Sequence, residues 1–212
     1  MRPFAPPEGP DPAGFNLKAK LPLGLLSEHV HAAMRDFIEF LTAVDAQLHA
    51  RQMVSLENTM MQANFSSLVG ELIAARIPKY CSSLVRNTYH NGHPDILPVG
   101  RYPGDAAQHA GSDGIEIKAS RYLQGWQGHK AENVWLMVFV FQSGREGPKI
   151  REGQAFRFLL VAGGALTVDD WQFSGRAANS RRTITASVKP AGAERMKANW
   201  IYKCKELRES EG

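Results

Sequence analysis

Residues 115–118 read Ile-Glu-Ile-Lys, a short run in which apolar and charged side chains alternate. Successive side chains of a β-strand point to opposite faces of the sheet. The two isoleucines would therefore be buried, while Glu116 and Lys118 share the other face, roughly 7 Å apart at their α-carbons from the rise per residue. The segment predicts a strand that holds a carboxylate beside an ammonium group.

Asp95 follows Pro94 and is separated from Glu116 by a spacer of twenty residues. If the weak strand predicted at 84–89 pairs with the strand of Glu116, Asp95 reaches the same point. Two carboxylates at one point repel each other unless a positive charge lies between them. A hard cation with oxygen ligands, Mg²⁺ or Mn²⁺, is the usual solution. Lys118 would then lie near a metal-bound water, which is a better nucleophile near neutral pH.

Each of these residues also has a simpler interpretation. Glu116 and Lys118 could form a cross-strand ion pair on a solvated strand face. Asp95 could be a turn residue after proline, which is a common use of aspartate. His90 and His93 flank the turn before Asp95, and no second pair at zinc-site spacing completes four ligands. They are interpreted as turn residues; a hydrogen bond from one of them near a reacting group is the alternative.

Two amphipathic helices precede these residues. The first carries an apolar stripe with alternating steps of four and three, typical of a packed helix. Its members are Val30, Met34, Phe37, Leu41, Val44 and Leu48. The stripe is interpreted as domain core, with half of a dimer interface as the alternative. The second helix is predicted over 56–76, with Pro78 helping to end it.

The rest of the chain predicts short strands and a last helix. Strands are expected at 84–89, 114–120, 134–141, 156–162 and 182–188, and helix at 193–203. Residues 134–141 are apolar at every position, as in a strand covered on both faces. We expect an α/β (α+β) fold with a mixed central sheet of about five strands flanked by helices.

Composition sets the broad class and the domain plan. The 212 residues suffice for one domain, and residues 1–24 are rich in proline and glycine, which predicts a flexible arm. A single domain is predicted over 25–212, with N-terminal helices over 25–77 and the sheet core over 84–190. No apolar run approaches eighteen residues, and no secretory leader is evident, so a cytoplasmic protein is expected. Cys81 and Cys204 are interpreted as buried thiols.

Positive charge is concentrated late in the chain. Residues 1–150 contain 14 basic and 14 acidic side chains, whereas 151–212 contain 11 and 7, so the net charge of +4 lies entirely in the last third. Such a distribution suits a polyanion, although a solvated basic surface is an equal alternative. Two stretches, 121–130 and 176–183, combine basic, amide and hydroxyl side chains suited to phosphates and base edges. The contact residues predicted are Arg121, Gln124, Gln127, His129, Lys130, Arg176, Arg181, Arg182 and Thr183.

The sequence Pro94-Asp95, a twenty-residue spacer and Glu116-Ile117-Lys118 together resemble the signature of the PD-(D/E)xK nucleases, the superfamily of most type II restriction endonucleases. The surroundings are similar too, with a helix before the motif and an apolar strand after it. The resemblance covers residues 56–190 as architecture, and its specific part is these five positions.

The resemblance implies a restriction endonuclease-like core and Mg²⁺-dependent hydrolysis of phosphodiester bonds in double-stranded DNA at a specific site. Asp95 and Glu116 would bind the metal, with Mn²⁺ able to substitute, and Lys118 would position or deprotonate the attacking water. Many members add an acid from the preceding helix, for which Glu71 is the candidate. A homodimer is expected, because cutting both strands of a symmetric site needs two active centres.

Two alternatives remain open from the sequence. One is a repair, recombination or transposition nuclease with the same metal site. The other is a non-catalytic DNA-binding module, against which the retention of all three motif side chains argues. The sequence contains no phosphate-binding loop of the G-x-x-x-x-G-K-[ST] type and no G-x-S-x-G elbow. No nucleotide cofactor is therefore expected.

Overall fold

The structure, a computed structural model, describes residues 5–128, 130–146, 149–150, 154–173 and 185–210. Three main helices pack on a six-stranded mixed sheet, and a small three-stranded sheet lies beside it. Among the described residues, no helix combines the length and apolar character needed to cross a membrane.

The elements have the following bounds. The helices are α1 Ser27–Ala50, α2 Leu56–Thr59, α3 Gln62–Tyr80, α4 Pro190–Ala198 and α5 Lys205–Glu209. The strands are β1 Leu84–Arg86, β2 Ile96–Pro98, β3 Ile115–Ser120, β4 Gln127–Gly128, β5 Val134–Gln142, β6 Arg145–Glu146, β7 Lys149–Ile150, β8 Arg157–Leu166, β9 Trp171–Phe173, β10 Ala186–Val188 and β11 Trp200–Lys203.

The large sheet has the strand order β1-β2-β3-β5-β8-β11, and the small sheet has the order β4-β10-β9. Strands β3 and β5 are parallel, and the other neighbours in the large sheet are antiparallel. The mixed sheet agrees with the prediction, but β2 and β11 were not predicted. The strand expected at 182–188 was assigned to the central sheet, whereas its described part, β10, belongs to the small sheet. Strand β2 has only three residues and ends in proline. Strand β11 falls where a helix was expected, since α4 ends at Ala198.

Strand β5 is covered on both faces, as its continuous apolar sequence predicted. Its side chains alternate between two separate apolar clusters. Met137, Phe139 and Phe141 belong to the cluster formed with α1 and α3. The side chains on the opposite face, Leu136 and Val138 among them, belong to a cluster with α4 and the small sheet. The sheet is thus the middle layer of three.

The stripe of α1 lies inside the first cluster. Val30, Met34, Phe37 and Leu41 are at most 1% exposed, so the core interpretation is confirmed. The alternative, that this part of the stripe forms half of a dimer interface, is wrong, because those side chains already pack within their own chain. The second helix is divided into α2 and α3. Helix α3 continues through Pro78, contrary to the predicted end at residue 76.

The described part of the proline- and glycine-rich arm packs on the sheet, which differs from the flexible segment predicted. Asn16 N donates to Ile201 O at 2.9 Å, and the Phe15 ring lies 4.8 Å from that of Tyr202. A Cβ on Gly14 would lie 2.5 Å from the backbone oxygen of Lys203, so only glycine allows this approach. The arm is anchored by backbone bonds, which leave no periodic signal in the sequence.

Candidate functional site

Asp95 is held in place by the loop that leads into β2. The side chain of Asn87 donates to Pro94 O at 2.9 Å and to Ala107 O at 2.7 Å. Its backbone N donates to Asp95 O at 2.9 Å. These bonds tie three separate segments together, and the His93–Pro94 peptide bond between them is cis. The position of Asp95 therefore depends on contacts distant in sequence.

Strand β2, and not the predicted strand at 84–89, is the neighbour of β3. Ile96 pairs with Ile115, and a Cβ on Gly114 would lie 2.3 Å from Ile96 O, so the two strands meet closely at this glycine. As a result, Oδ2 of Asp95 accepts a hydrogen bond from Ile117 N at 2.8 Å. The aspartate is bound directly to the backbone between Glu116 and Lys118.

Glu116 and Lys118 lie on the face of β3 opposite its buried isoleucines, as the alternation predicted. Glu116 is only 6% exposed, and its Oε1 forms an ion pair with Lys118 Nζ. Its other oxygen, Oε2, lies 2.9 Å from His93 Nδ1. His93 Nε2 lies 3.2 Å from Glu132 Oε2, outside hydrogen-bond geometry. Two cationic or potentially cationic groups thus contact one buried carboxylate.

The two carboxyl groups have opposite electrostatic environments. Burial and the negative charge of Glu116 raise the pKa of Asp95 to about 7, and a side-chain hydrogen bond with Glu116 adds to the effect. Burial alone would raise the pKa of Glu116, but the hydrogen bond to His93 and the charge of Lys118 lower it to about 2. Burial would lower the pKa of Lys118, yet Glu116 raises it. The cluster therefore combines an ionised glutamate and a charged lysine with an aspartate that tends to keep its proton.

Two of these residues were not assigned to the site from the sequence. His93 was interpreted as a turn residue, with a contact near the reacting group as the alternative; its place two residues before Asp95 was the available signal. Glu132 carries no local signal. It lies near β3 because β3 and β5 are parallel, with Ile115 opposite Trp135.

The donor set fits a hard divalent cation. Among the described residues, no group of three or more His, Cys, Asp or Glu side chains has the geometry of a metal site. Mg²⁺, however, is commonly bound through one or two carboxylates, with waters and substrate phosphates as its other ligands. Glu116 is buried and Asp95 is half-buried, and repulsion from the negative charge of Glu116 adds to the larger effect of burial in raising the pKa of Asp95 to about 7. A cation between them would remove that repulsion.

Glu71 is not brought to this cluster. Its carboxylate forms an exposed ion pair with Arg86 at the end of β1, two strands away from β3. Helix α3 does pack against β3, but Gly70 and not Glu71 lies on the side in contact. A Cβ added to Gly70 would lie 3.9 Å from Ile117 O. The structure therefore places the third acid expected from the resemblance at the surface.

A cleft of about 320 Å³ opens at the carboxyl end of β3. One wall is the first two turns of α3, and the other is the loop from Ser120 to Gln127. Its lining residues are Gln62, Ala63, Ser66, Lys118, Ala119, Ser120, Arg121, Tyr122, Gly125, Trp126 and Gln127. Lys118 belongs both to the cluster around Glu116 and to the cleft, so the two are continuous.

The predicted DNA-contact residues are distributed unevenly around this cleft. Arg121 and Gln127 line it, while Gln124 is exposed on the same loop. Lys130 Nζ lies 3.8 Å from Glu132, next to His93. The other five lie outside the described residues: His129, Arg176, Arg181, Arg182 and Thr183.

Comparisons with known proteins identify no relative. The chain matches no protein-family model, no curated protein and no solved structure.

Proposed function

We propose that the protein is a Mg²⁺-dependent endonuclease of the type II restriction endonuclease kind, which hydrolyses phosphodiester bonds in double-stranded DNA. The observation that carries the proposal is the contact of the Asp95 carboxyl with Ile117 N and with Glu116, beside the ion pair of Glu116 and Lys118. The motif that resembles the PD-(D/E)xK signature is thereby gathered at one point. A restriction endonuclease-like core and a cytoplasmic location are parts of the same proposal.

Asp95 and Glu116 would hold the metal ion. When bound, Mg²⁺ would activate a water and neutralise charge on the phosphate oxygens. Glu116 is already ionised and oriented from both sides, by Lys118 and by His93. Asp95 would bind as the carboxylate after losing the proton that burial and Glu116 favour.

Lys118 would act as a positive hydrogen-bond donor. Because Glu116 raises its pKa, the side chain keeps its proton and is unsuited to abstract one from water. Its position at the border between the acidic cluster and the cleft suits contact with a phosphate oxygen or the attacking water. Of the two roles the resemblance offers, positioning is the one these charges favour.

Cleavage of both strands of a duplex would require two active centres, and hence a homodimer, as part of the proposal. The buried stripe of α1 cannot form its interface. The net positive charge of residues 151–212 supports a polyanionic substrate.

The test is incubation of the purified protein with supercoiled plasmid and Mg²⁺, followed by sequencing of the fragment ends. Discrete fragments with 5′-phosphates are the expected result. A smear would instead indicate a nuclease without sequence specificity. Plasmid left intact by the wild-type protein with Mg²⁺ and with Mn²⁺ would contradict the proposal. Reactions with EDTA and with Asp95→Asn are the controls for a contaminating nuclease.

A further inference from the structure

The cleft is positively charged and already shaped. Its charged lining residues are Lys118 and Arg121, and no acidic residue of the described chain lines it. The loop that forms one wall is closed by its own bonds. Tyr122 N donates to Ser120 Oγ at 3.1 Å, and Trp126 Nε1 donates to Tyr122 O at 2.9 Å. A positive cavity with fixed walls is suited to an anionic group of a substrate.

Hydroxyl and amide groups complete the lining. Ser66 and Gln62 come from α3, and Gln127 comes from β4. Side chains of these types commonly contact phosphate oxygens and sugars of DNA. A volume of about 320 Å³ lies near the lower end of the range for small-molecule sites, roughly 300–1,000 Å³. The cleft is thus large enough for a phosphate and its sugar and too small for a duplex.

Arg121 also acts on a buried acid, Glu57. The side chain of Glu57 is 5% exposed, and burial raises its pKa to about 7, although the charge of Arg121 and hydrogen bonds to Gly144 and Ser143 act in the opposite direction. Loss of the Arg121 charge therefore also affects a buried carboxyl group.

We infer that the cleft binds one phosphate of the DNA strand with its sugar, through Arg121. That the bound phosphate belongs to a DNA strand rests on the proposed function. The adjoining Lys118 makes the cleft continuous with the acidic cluster, so the bound phosphate would be a neighbour of the one that is cleaved. Arg121 was among the contact residues predicted from the sequence, and the cleft assigns it one phosphate.

The experiment measures binding of a fluorescein-labelled duplex by anisotropy in EDTA, across about 50 to 200 mM salt. Without metal the dissociation constant reports strand binding alone, whether or not the protein cleaves DNA. Arg121→Ala should weaken binding roughly tenfold. It should also reduce the slope of log affinity against log salt by about one, the loss of one phosphate contact. Lys79→Ala, the same loss of charge near the far end of α3, should change neither.

Thermal unfolding checks that Arg121→Ala folds. If Arg121→Ala unfolds because Glu57 loses its partner, Glu57→Gln combined with Arg121→Ala removes both charges and gives the same slope measurement.

An unchanged salt slope in the folded Arg121→Ala variant would overturn the inference. An equal loss of DNA affinity in Lys79→Ala would overturn it as well. These failures would leave the plasmid test unaffected. Absence of cleavage with an intact Arg121 effect would overturn the catalytic proposal and keep the binding site.

Discussion

In the described part of the chain, two pairs of carboxyl groups lie wholly or largely out of contact with solvent, and their pKa values shift in different ways. Asp95 and Glu116 contact each other, with pKa values of about 7 and about 2. Asp45 and Glu57 lie beneath the loops around α2, and burial raises the pKa of both. The pKa values of Asp95 and Glu116 thus shift in opposite directions within one cluster, whereas those of Asp45 and Glu57 shift in the same direction.

The partners explain the difference. Asp45 Oδ1 accepts a hydrogen bond from Leu56 N at 2.7 Å, and Glu57 bonds to Ser143 and Gly144, so these acids connect loops. Glu116 instead contacts Lys118 and His93 at the edge of a cleft. A buried acid bound to backbone groups is a structural element. Asp95, whose pKa is raised to about 7, and the ionised Glu116 form the pair to which our proposal assigns the cation.

The largest effect is expected from Lys118→Ala. The variant should lose at least about a hundredfold in cleavage rate, because a fixed positive donor at the reacting phosphate is removed. Plasmid cleavage with Mg²⁺ measures the rate, and anisotropy in EDTA checks that DNA still binds. Lys79→Ala is the matched control. Cleavage at the wild-type rate by Lys118→Ala would separate the cluster from catalysis.

A second prediction concerns pH in the metal-free protein. The folded protein keeps a proton on Asp95 up to about pH 7, whereas the pKa of an ordinary aspartate is 3.8. Unfolding therefore releases a proton between about pH 4 and 7, so stability should fall as pH rises through that window, by at most about 1.4 kcal/mol per pH unit for this group. Glu57 acts in the same direction. Thermal unfolding at a series of pH values measures the slope.

Glu116 acts in the opposite direction and in another window. Its pKa is lowered from 4.5 to about 2, so its contribution to stability is present above pH 4.5 and is lost as pH falls toward 2. Asp95→Asn and Glu57→Gln should each remove part of the decline above pH 4. Saturating Mg²⁺ should remove only the Asp95 part. A Mg²⁺ effect equally large in Asp95→Asn would contradict the distinction between the two pairs.

The smallest effect is expected from Glu71→Ala. The residue forms an exposed ion pair with Arg86, and such pairs contribute about 0–1 kcal/mol. Cleavage should change by less than about twofold, and the unfolding temperature should hardly move. A loss as large as that in Asp95→Asn would mean that Glu71 is a metal ligand after all.

Elements with a strong local pattern were predictable from the sequence. Helix α1 and strand β3 have clear periodicity and β5 is continuously apolar, and their buried faces are the ones expected. The alternation over 115–118 also predicted that Glu116 and Lys118 share a face. Strands β2 and β11 were missed, because their three and four residues carry too little pattern.

The site was predictable only in part, because its geometry depends on long-range pairing. The motif named Asp95, but its bond to Ile117 N needs β2 beside β3, and nothing local predicts that strand. His93 and Glu132 join the cluster through a loop and a parallel strand pair. Glu71 was expected from the resemblance alone, and the packing of Gly70 on β3 turns it toward β1.

The most direct test of the central claim is Mn²⁺ binding followed by electron paramagnetic resonance, in the wild-type protein, Asp95→Asn and Glu71→Gln. If Asp95 and Glu116 share a cation, the protein has one Mn²⁺ site at this pair. Its affinity should fall at least roughly tenfold in Asp95→Asn, when one charged ligand is lost, and should not change in Glu71→Gln. Equal Mn²⁺ affinity in the wild-type protein and Asp95→Asn would contradict the account.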